Sequence, residues 1–168
     1  MGRSDSVSSR RRAREVALQV LYAIDLGEGR GPPEAKAGDC PDAPEADAEG
    51  PAPSLPDRAF EAVSVHFEMP EAARDFALEL VQQVQKHLAA LDQTIGDHSA
   101  NWRIDRMAVV DRNILRLGTY ELTYTATPAR VILNETVDLA RRFSSDPSPA
   151  FVNGILDAVA RGVRECVP

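Results

Sequence analysis

Apolar residues recur every three or four positions from residue 57 to the end of this chain, and no other feature constrains the fold as strongly. Because one turn of an α-helix takes 3.6 residues, this spacing gathers the apolar side chains on one face of a helix. Alternation with period two, which indicates a strand, does not extend over a useful length. The sequence therefore predicts an all-α fold.

Prolines and short polar residues indicate where the helices begin. We expect a first helix over residues 9–26 and a break between later helices around Gly96. The expected start signals of the later helices are, in chain order, Asp57, Pro70, Asp105, Thr127-Pro128 and Ser148-Pro149.

The first helix is amphipathic and carries basic residues. Its predicted inward stripe consists of Ala13, Val16, Ala17, Val20 and Ile24. At 100° per residue, the opposite side, which we expect to face solvent, consists of Arg11, Arg14, Glu15, Leu18 and Tyr22.

Residues 27–57 differ in composition from the rest of the chain. Gly, Pro, Ala, Asp and Glu dominate, and eight acidic residues accompany two basic ones. Such a composition buries too little apolar area to offset the entropy of ordering, so we expect a disordered insertion at 27–56 within a single domain spanning 1–168. Most of the formal charge of −7 lies in this segment, and the total therefore does not exclude a nucleic-acid partner.

The motifs of common enzymes are missing from the sequence. It contains no Walker loop, GxGxxG, GxSxG or HExxH, which predicts a protein that is not an enzyme and has no cofactor. The two cysteines, Cys40 and Cys166, form no CxxC, so no metal site is expected. No apolar run approaches the ~20 residues that cross a bilayer, and we expect a cytoplasmic protein without membrane contact.

Two sequence features are candidates for RNA contact. Arg10, Arg11, Arg12 and Arg14 crowd the expected start of the first helix, where free amide groups also favour phosphate, although a solvated basic tail explains them equally. Phe151 lies at the edge of the last helix's apolar stripe and suits an unpaired base; the alternative is a peripheral core contact. Nearby Gly154 predicts the close approach of another backbone, because Gly inside a helix costs roughly 1 kcal/mol.

Residues 111–122 and 131–144 predict two further amphipathic helices. Core packing alone explains their apolar residues. We expect several basic residues on the outer faces of these helices or just before the second one. They are Arg112, Arg116, Arg130, Arg141 and Arg142.

Together these segments resemble the NusB family. The match covers residues 8–26 and about 57–165, and four motifs occur in the family's order. They are RRRAR-E at 10–15 with Leu21-Tyr22 after it, R-x-x-L-R-x-x-x-Y-E-L at 112–122, L-N-E with L-A at 133–140, and F-V-N-G-I-L-D at 151–157.

The resemblance implies two packed antiparallel bundles of about seven helices. It also implies binding of the single-stranded boxA segment of ribosomal RNA operon leaders together with NusE, a small-subunit ribosomal protein, so that RNA polymerase reads through terminators. By matching position, the implied RNA-binding residues are Arg10, Arg11, Arg12, Arg14, Tyr22, Phe151 and Asn153. The candidate partner-binding residues are Arg112, Arg116 and Tyr120.

Other functions remain open at this point. One alternative is a protein-interaction bundle that self-associates as an inactive homodimer through its RNA face. Another is an accessory region of an RNA methyltransferase, although the chain ends at Pro168 without room for a cofactor domain. RNA binding by the isolated protein discriminates against the first alternative, and a turnover assay addresses any enzyme.

Overall fold

The computed structural model describes residues 3–27, 53–99 and 102–165. Within these ranges the chain forms seven α-helices, a short 3₁₀ helix at Ile104–Arg106 and no strand, which confirms the all-α prediction. Most of the acidic insertion, residues 28–52, lies outside the described residues, and its disorder stays a prediction. The helices are α1 (Arg3–Asp25), α2 (Leu55–Ser64), α3 (Glu71–Lys86), α4 (Leu88–His98), α5 (Val109–Tyr124), α6 (Ala129–Phe143) and α7 (Ser148–Glu165).

The helices pack in two groups around one continuous core. Helices α1, α2 and α3 pack against one another, and α4, α5, α6 and α7 form the second group. Helix α5 also contacts α1 and α3, so it joins the two groups. Phe60, Leu21 and Leu80 are fully buried in the first group, as are Ile114 and Leu156 in the second. The arrangement agrees with the two packed bundles that the family resemblance implies.

Several helix ends differ from the sequence-based expectations. Ser54 rather than Asp57 caps α2: the Ser54 amide donates to Asp57 Oδ2 (3.2 Å), and the Asp57 amide donates to Ser54 Oγ (3.4 Å). This reciprocal pair is a capping box with Asp57 at its third position. The chain breaks at His87, between α3 and α4, whereas Gly96 lies inside α4. The break predicted around Gly96 is confirmed two residues later, where α4 ends at His98, and the break at His87 was not expected.

The sequence predicts the starts of the last two helices correctly, but not the start of α5. Pro128 immediately precedes α6, and Ser148 is the first residue of α7, as expected. Asp105 does not cap α5; it lies in the 3₁₀ helix, and α5 begins at Val109 after Ala108. The capping prediction misses this extra turn because a 3₁₀ segment of three residues is too short to show a periodic pattern.

Gly118 permits close packing between helices, whereas Gly154, where the sequence predicts it, does not. A Cβ on Gly154 would meet nothing within 4 Å, so the expected close approach there is wrong. A Cβ on Gly118 would lie 2.6 Å from Leu156 Cδ1 and 3.0 Å from Thr136 Cγ2. Gly118 therefore allows α5 to lie close to α6 and α7.

Candidate nucleic-acid interface

The arginine cluster, which we define as Arg10, Arg11, Arg12 and Arg14, lies two to three turns inside α1. Helix α1 begins at Arg3. At 1.5 Å per residue, Arg10 is about 10 Å along the axis, and the charge of a helix terminus acts mainly within its first turn. The expectation that the helix N-terminus assists the cluster is therefore wrong.

Arg14 is buried rather than exposed. Its Nε and Nη2 donate to the Glu121 carboxylate at 2.8 and 2.7 Å, and the two side chains are 4% and 1% exposed. Glu15 and Leu18, also expected to face solvent, are buried as well. The expectation fails because α1 contacts α2, α3 and α5 and so is covered on more than one side. Arg14 has its charge compensated inside the protein.

Arg11 remains accessible at the surface while bound to two acids of α6. Its Nε and Nη2 donate to the Glu135 carboxylate at 3.2 and 2.9 Å, and Nη2 also donates to Asp138 Oδ2 at 3.0 Å. The hydrogen bond and the negative charge of Glu135 raise the pKa of Arg11 above its usual value. With 47% of its side chain exposed, Arg11 can exchange these carboxylates for another anion.

Arg10 and Arg12 complete the exposed part of the cluster. Arg12 Nη1 donates to Glu15 Oε2 at 2.9 Å, and its guanidinium lies over the Phe67 ring, 5.1 Å from the centroid. Arg10 is exposed, with its guanidinium 5.7 Å from the centroid of Phe76. These cation–π contacts orient both guanidinium groups while leaving donors free for an anion.

A polar groove runs between α6 and α7 beside the arginine cluster. We call it the polar groove; its volume is about 1010 Å³. Arg11 lines one part of it, and Asn153, exposed on α7, lines another. The structure thus brings together two predicted RNA-binding residues that are far apart in the sequence. Other groove residues are Asn134, Glu135, Asp138 and Arg141.

Phe151 lies on the other side of the first turn of α7. It lines a smaller cleft of about 250 Å³ with Trp102, which we call the aromatic cleft. The two rings meet edge to face, with centroids 5.8 Å apart. Phe151 is half-buried and packs against the core, as a peripheral core contact would, and its contact with an unpaired base stays a prediction.

Hydrogen bonds fix the turn that presents Phe151. The buried Asp111 carboxylate at the start of α5 accepts from Ser144 Oγ at 2.6 Å and from Ser148 Oγ at 2.8 Å. Because Ser144 follows α6 and Ser148 begins α7, one carboxylate anchors both ends of the connecting turn. The first turn of α7 is thereby held between the polar groove and the aromatic cleft.

Tyr22 lies apart from both concavities. Its side chain is 39% exposed, as expected, and lines a hydrophobic pocket of about 530 Å³ with Leu18, Val63 and Phe143. Four of the predicted RNA-binding residues therefore line three separate concavities, and the other three, Arg10, Arg12 and Arg14, line none of these.

The candidate partner-binding residues on α5 are mostly internal. Arg116, expected on an outer face, is 7% exposed; it donates to Asp92 at 2.7 and 2.8 Å and to Asp25 at 3.1 Å. Arg112 donates to the same Asp25 at 3.0 Å. Tyr120 is 8% exposed, and burial raises the pKa of its hydroxyl. The outward placement of Arg116 is wrong, because partly exposed acids of α4 and of the end of α1 hold its guanidinium, and Arg112 is only partly exposed. Contact of these residues with a partner stays a prediction.

Sequence reasoning missed three residues that shape these surfaces. Glu135 and Asp138 lie beside the arginines only because α6 packs near α1. Glu135 belongs to the L-N-E motif, but the motif does not show that this residue meets α1. Trp102, the single tryptophan, is 59% exposed, and its rarity was the available signal. Among the described residues, no group of three or more His, Cys, Asp or Glu is placed to hold a metal ion.

Fold and surfaces define a small all-helical protein whose polar groove carries two arginines, Arg11 and Arg141, beside three acids, Glu135, Asp138 and Asp146. The family model described as NusB family matches residues 11–161. Proteins named transcription antitermination protein NusB are similar to this chain: one from Anaeromyxobacter dehalogenans is 40% identical over 158 residues, 93% of each chain. One from Solibacter usitatus is 41% identical over 160 residues, 95% of this chain and 93% of its own. The chain belongs to the NusB family.

Solved structures agree with this assignment. A structure of T. maritima NusB superposes with a TM-score of 0.68 at 26% identity and covers 90% of both chains. A complex of antitermination factors NusB and NusE with double-stranded RNA contains a chain that matches with a TM-score of 0.69 at 27% identity. That match covers 92% of this chain and 98% of the other. No described helix is long and apolar enough to cross a membrane.

Proposed function

We propose that this chain is an RNA-binding transcription antitermination factor that acts with NusE on RNA polymerase. The curated relatives carry that function in their name, and a structural neighbour was solved with NusE and RNA. We propose boxA RNA of ribosomal RNA operon leaders as the ligand, a role without catalysis and a cytoplasmic location.

The observation that carries this proposal is the polar groove. It places Arg11, an exposed cation, and Asn153, an exposed amide, along one surface. A guanidinium provides a planar fork of donors for phosphate, and an amide offers both a donor and an acceptor to a base edge. The groove therefore combines backbone contact with a group able to distinguish bases.

The free protein holds its exposed arginines in exchangeable ion pairs. Arg11 is bound by Glu135 and Asp138, and Arg12 by Glu15. The pair with the exposed Asp138 contributes only about 0–1 kcal/mol. Glu135 and Glu15 are 11% and 4% exposed, so a phosphate that displaces these acids must offset a larger loss. Arg14, buried against Glu121, is a structural residue in this proposal.

NusE and the form of the RNA belong to the same proposal. We propose a composite surface of both proteins for single-stranded RNA, because unpaired bases expose the edges and faces that side chains recognise. The structural neighbour contains double-stranded RNA, so both forms belong in the test. A homodimer that covers this surface is the competing arrangement.

A titration of the purified full chain tests the proposal. Labelled boxA RNA, a scrambled sequence and a double-stranded version are titrated by fluorescence anisotropy, with and without NusE. We expect NusE to tighten binding of boxA more than of the scrambled RNA. Equal affinities for all three RNAs with NusE present would contradict boxA recognition, and a concentration-dependent dimer that RNA does not dissociate would favour the competing arrangement.

A further inference from the structure

The most exposed aromatic ring near the polar groove belongs to a residue with no assigned role. Trp102 lies between α4 and the 3₁₀ helix and is 59% exposed. An indole left in water offers a large flat surface, and bases of every kind stack on such surfaces. Trp102 lines the aromatic cleft, which opens beside the first turn of α7.

The backbone of Trp102 is fixed on both of its polar groups. Its amide donates to the Ser99 carbonyl at 2.8 Å, and its carbonyl accepts from Ser99 Oγ at 2.9 Å. Phe151 meets the indole edge to face, with centroids 5.8 Å apart. The half-buried Phe151 ring, set in the first turn of α7, therefore supports the indole. A ring that is already oriented loses little entropy when a ligand stacks on it.

The size and the lining of the aromatic cleft suit one planar ring that carries an anionic group. Its volume, about 250 Å³, lies below the roughly 300–1,000 Å³ of sites for drug-sized ligands. Met107 and Pro147 add apolar surface. Arg106 lines the cleft, is exposed, and forms no ion pair with any residue that the structure describes. The acid of the cleft, Asp111, is buried and its two oxygens accept hydrogen bonds from Ser144 and Ser148. A nucleotide combines a flat base for the indole with a phosphate for this guanidinium.

We propose that Trp102 stacks on one unpaired RNA base, with Phe151 as its support and Arg106 as the contact to the adjoining phosphate. The inference rests on the proposed RNA-binding function and deepens it, because the direct base contact moves from Phe151 to Trp102. The RNA then crosses the first turn of α7, from the polar groove on one side to the aromatic cleft on the other.

The single tryptophan makes the test direct, because all indole fluorescence of this protein comes from Trp102. The full chain is titrated with unlabelled single-stranded RNA while indole emission is recorded, and labelled RNA gives Kd by anisotropy. We expect saturating RNA to quench the emission. Trp102→Ala should weaken binding roughly 5- to 100-fold, as the removal of one stacking platform does. Trp102→Phe, which keeps an aromatic face, should stay within about threefold of the original Kd.

Two further variants separate stacking from support and from general surface change. Phe151→Leu keeps apolar volume but removes the edge-to-face packing, and we expect reduced quenching with a smaller decrease in affinity than Trp102→Ala. Val65→Ala, at an apolar position 77% exposed on another part of the surface, should change neither. Circular dichroism during urea unfolding checks that each variant folds.

The outcomes separate this inference from the proposed function. Tight RNA binding with unchanged indole emission and an unchanged Kd for Trp102→Ala would overturn the inference and leave the proposed function standing. The same holds if Phe151→Leu weakens binding more than Trp102→Ala. No binding of any RNA by the original protein, with NusE present, would overturn both.

Discussion

Arg14 and Arg11 lie one helical turn apart on α1, yet their surroundings are opposite. Arg14 is sealed against Glu121, with side chains 4% and 1% exposed, whereas Arg11 meets Glu135 and Asp138 in contact with water. Within one motif, the arginine at position 14 thus stabilises the fold, whereas the arginine at position 11 remains available to a ligand. Burial, rather than the motif, decides which role each arginine has.

The largest expected effect comes from breaking the buried pair. Arg14→Met leaves the Glu121 carboxylate buried without its partner, and we expect a decrease of about 3–5 kcal/mol in the free energy of unfolding. Urea unfolding measures it. The double variant Arg14→Met/Glu121→Leu removes both charges and should recover most of that stability. An Arg14→Met protein of unchanged stability but weakened RNA binding would return Arg14 to the phosphate-binding set.

A second buried cation extends the comparison to α5. Arg116→Ala removes hydrogen bonds to Asp92 and Asp25, whose side chains are 26% and 17% exposed. Because these acids retain some water, we expect a smaller decrease in stability, of about 2–3 kcal/mol. Arg103→Ala, in an exposed pair with Asp105, is the control and should change stability by less than about 1 kcal/mol. Abolished NusE binding at unchanged stability would instead identify Arg116 as a partner-binding residue.

The exposed region should show the reverse pattern. Replacing Arg10, Arg11 and Arg12 together by Ala should cost about 1–2 kcal/mol of stability, less than Arg14→Met, because the arginines are exposed although Glu135 and Glu15 are mostly buried. RNA affinity should fall about tenfold, and the slope of log K against log salt should decrease by roughly one for each phosphate that the variant no longer binds. Anisotropy titrations at several salt concentrations measure both. An unchanged slope would show that these arginines do not contact phosphate.

The smallest expected effect concerns an acid that competes for Arg11. Asp138→Asn weakens its pairs with Arg11 and Arg141, and RNA should bind about two- to threefold more tightly. Asp157→Asn, which disrupts a similar exposed pair with Arg161 on α7, is the matched control and should leave Kd unchanged. Equal Kd values for the two variants and the original protein would mean that Asp138 does not limit access to Arg11.

Helix type followed from the sequence, but the start signals marked six helices where the structure has seven α-helices in its described residues, and the helix ends followed only in part. The stripe Ala13, Val16, Ala17 and Val20 is fully buried, as its spacing predicts. Pro128 and Ser148 marked true starts because proline and serine favour helix starts through local geometry alone. The break expected around Gly96 occurs just after it, at the end of α4, whereas the break at His87 has no neighbouring proline or glycine to mark it.

The sequence predicted which residue types belong to the candidate site, but not how these residues are arranged in space. Arg11 and Tyr22 were expected at the surface and lie there, and Asn153 shares a groove with Arg11. Their surroundings depend on helices distant in the sequence, as with the α6 acids that hold Arg11. Trp102 acquires its place beside Phe151 in the same way, across about fifty residues of chain.

By itself the sequence determined an all-helical chain, the inward stripe of its first helix and the family motifs, because backbone geometry imposes periodicity locally. Only the tertiary structure decided which charges are buried. Arg14 meets Glu121 across 107 positions of sequence, and Arg11 meets Glu135 across 124. A periodic pattern describes how one helix faces one neighbouring helix. Helix α1 contacts α2, α3 and α5, and the electrostatic environment of each of its side chains depends on every helix around it.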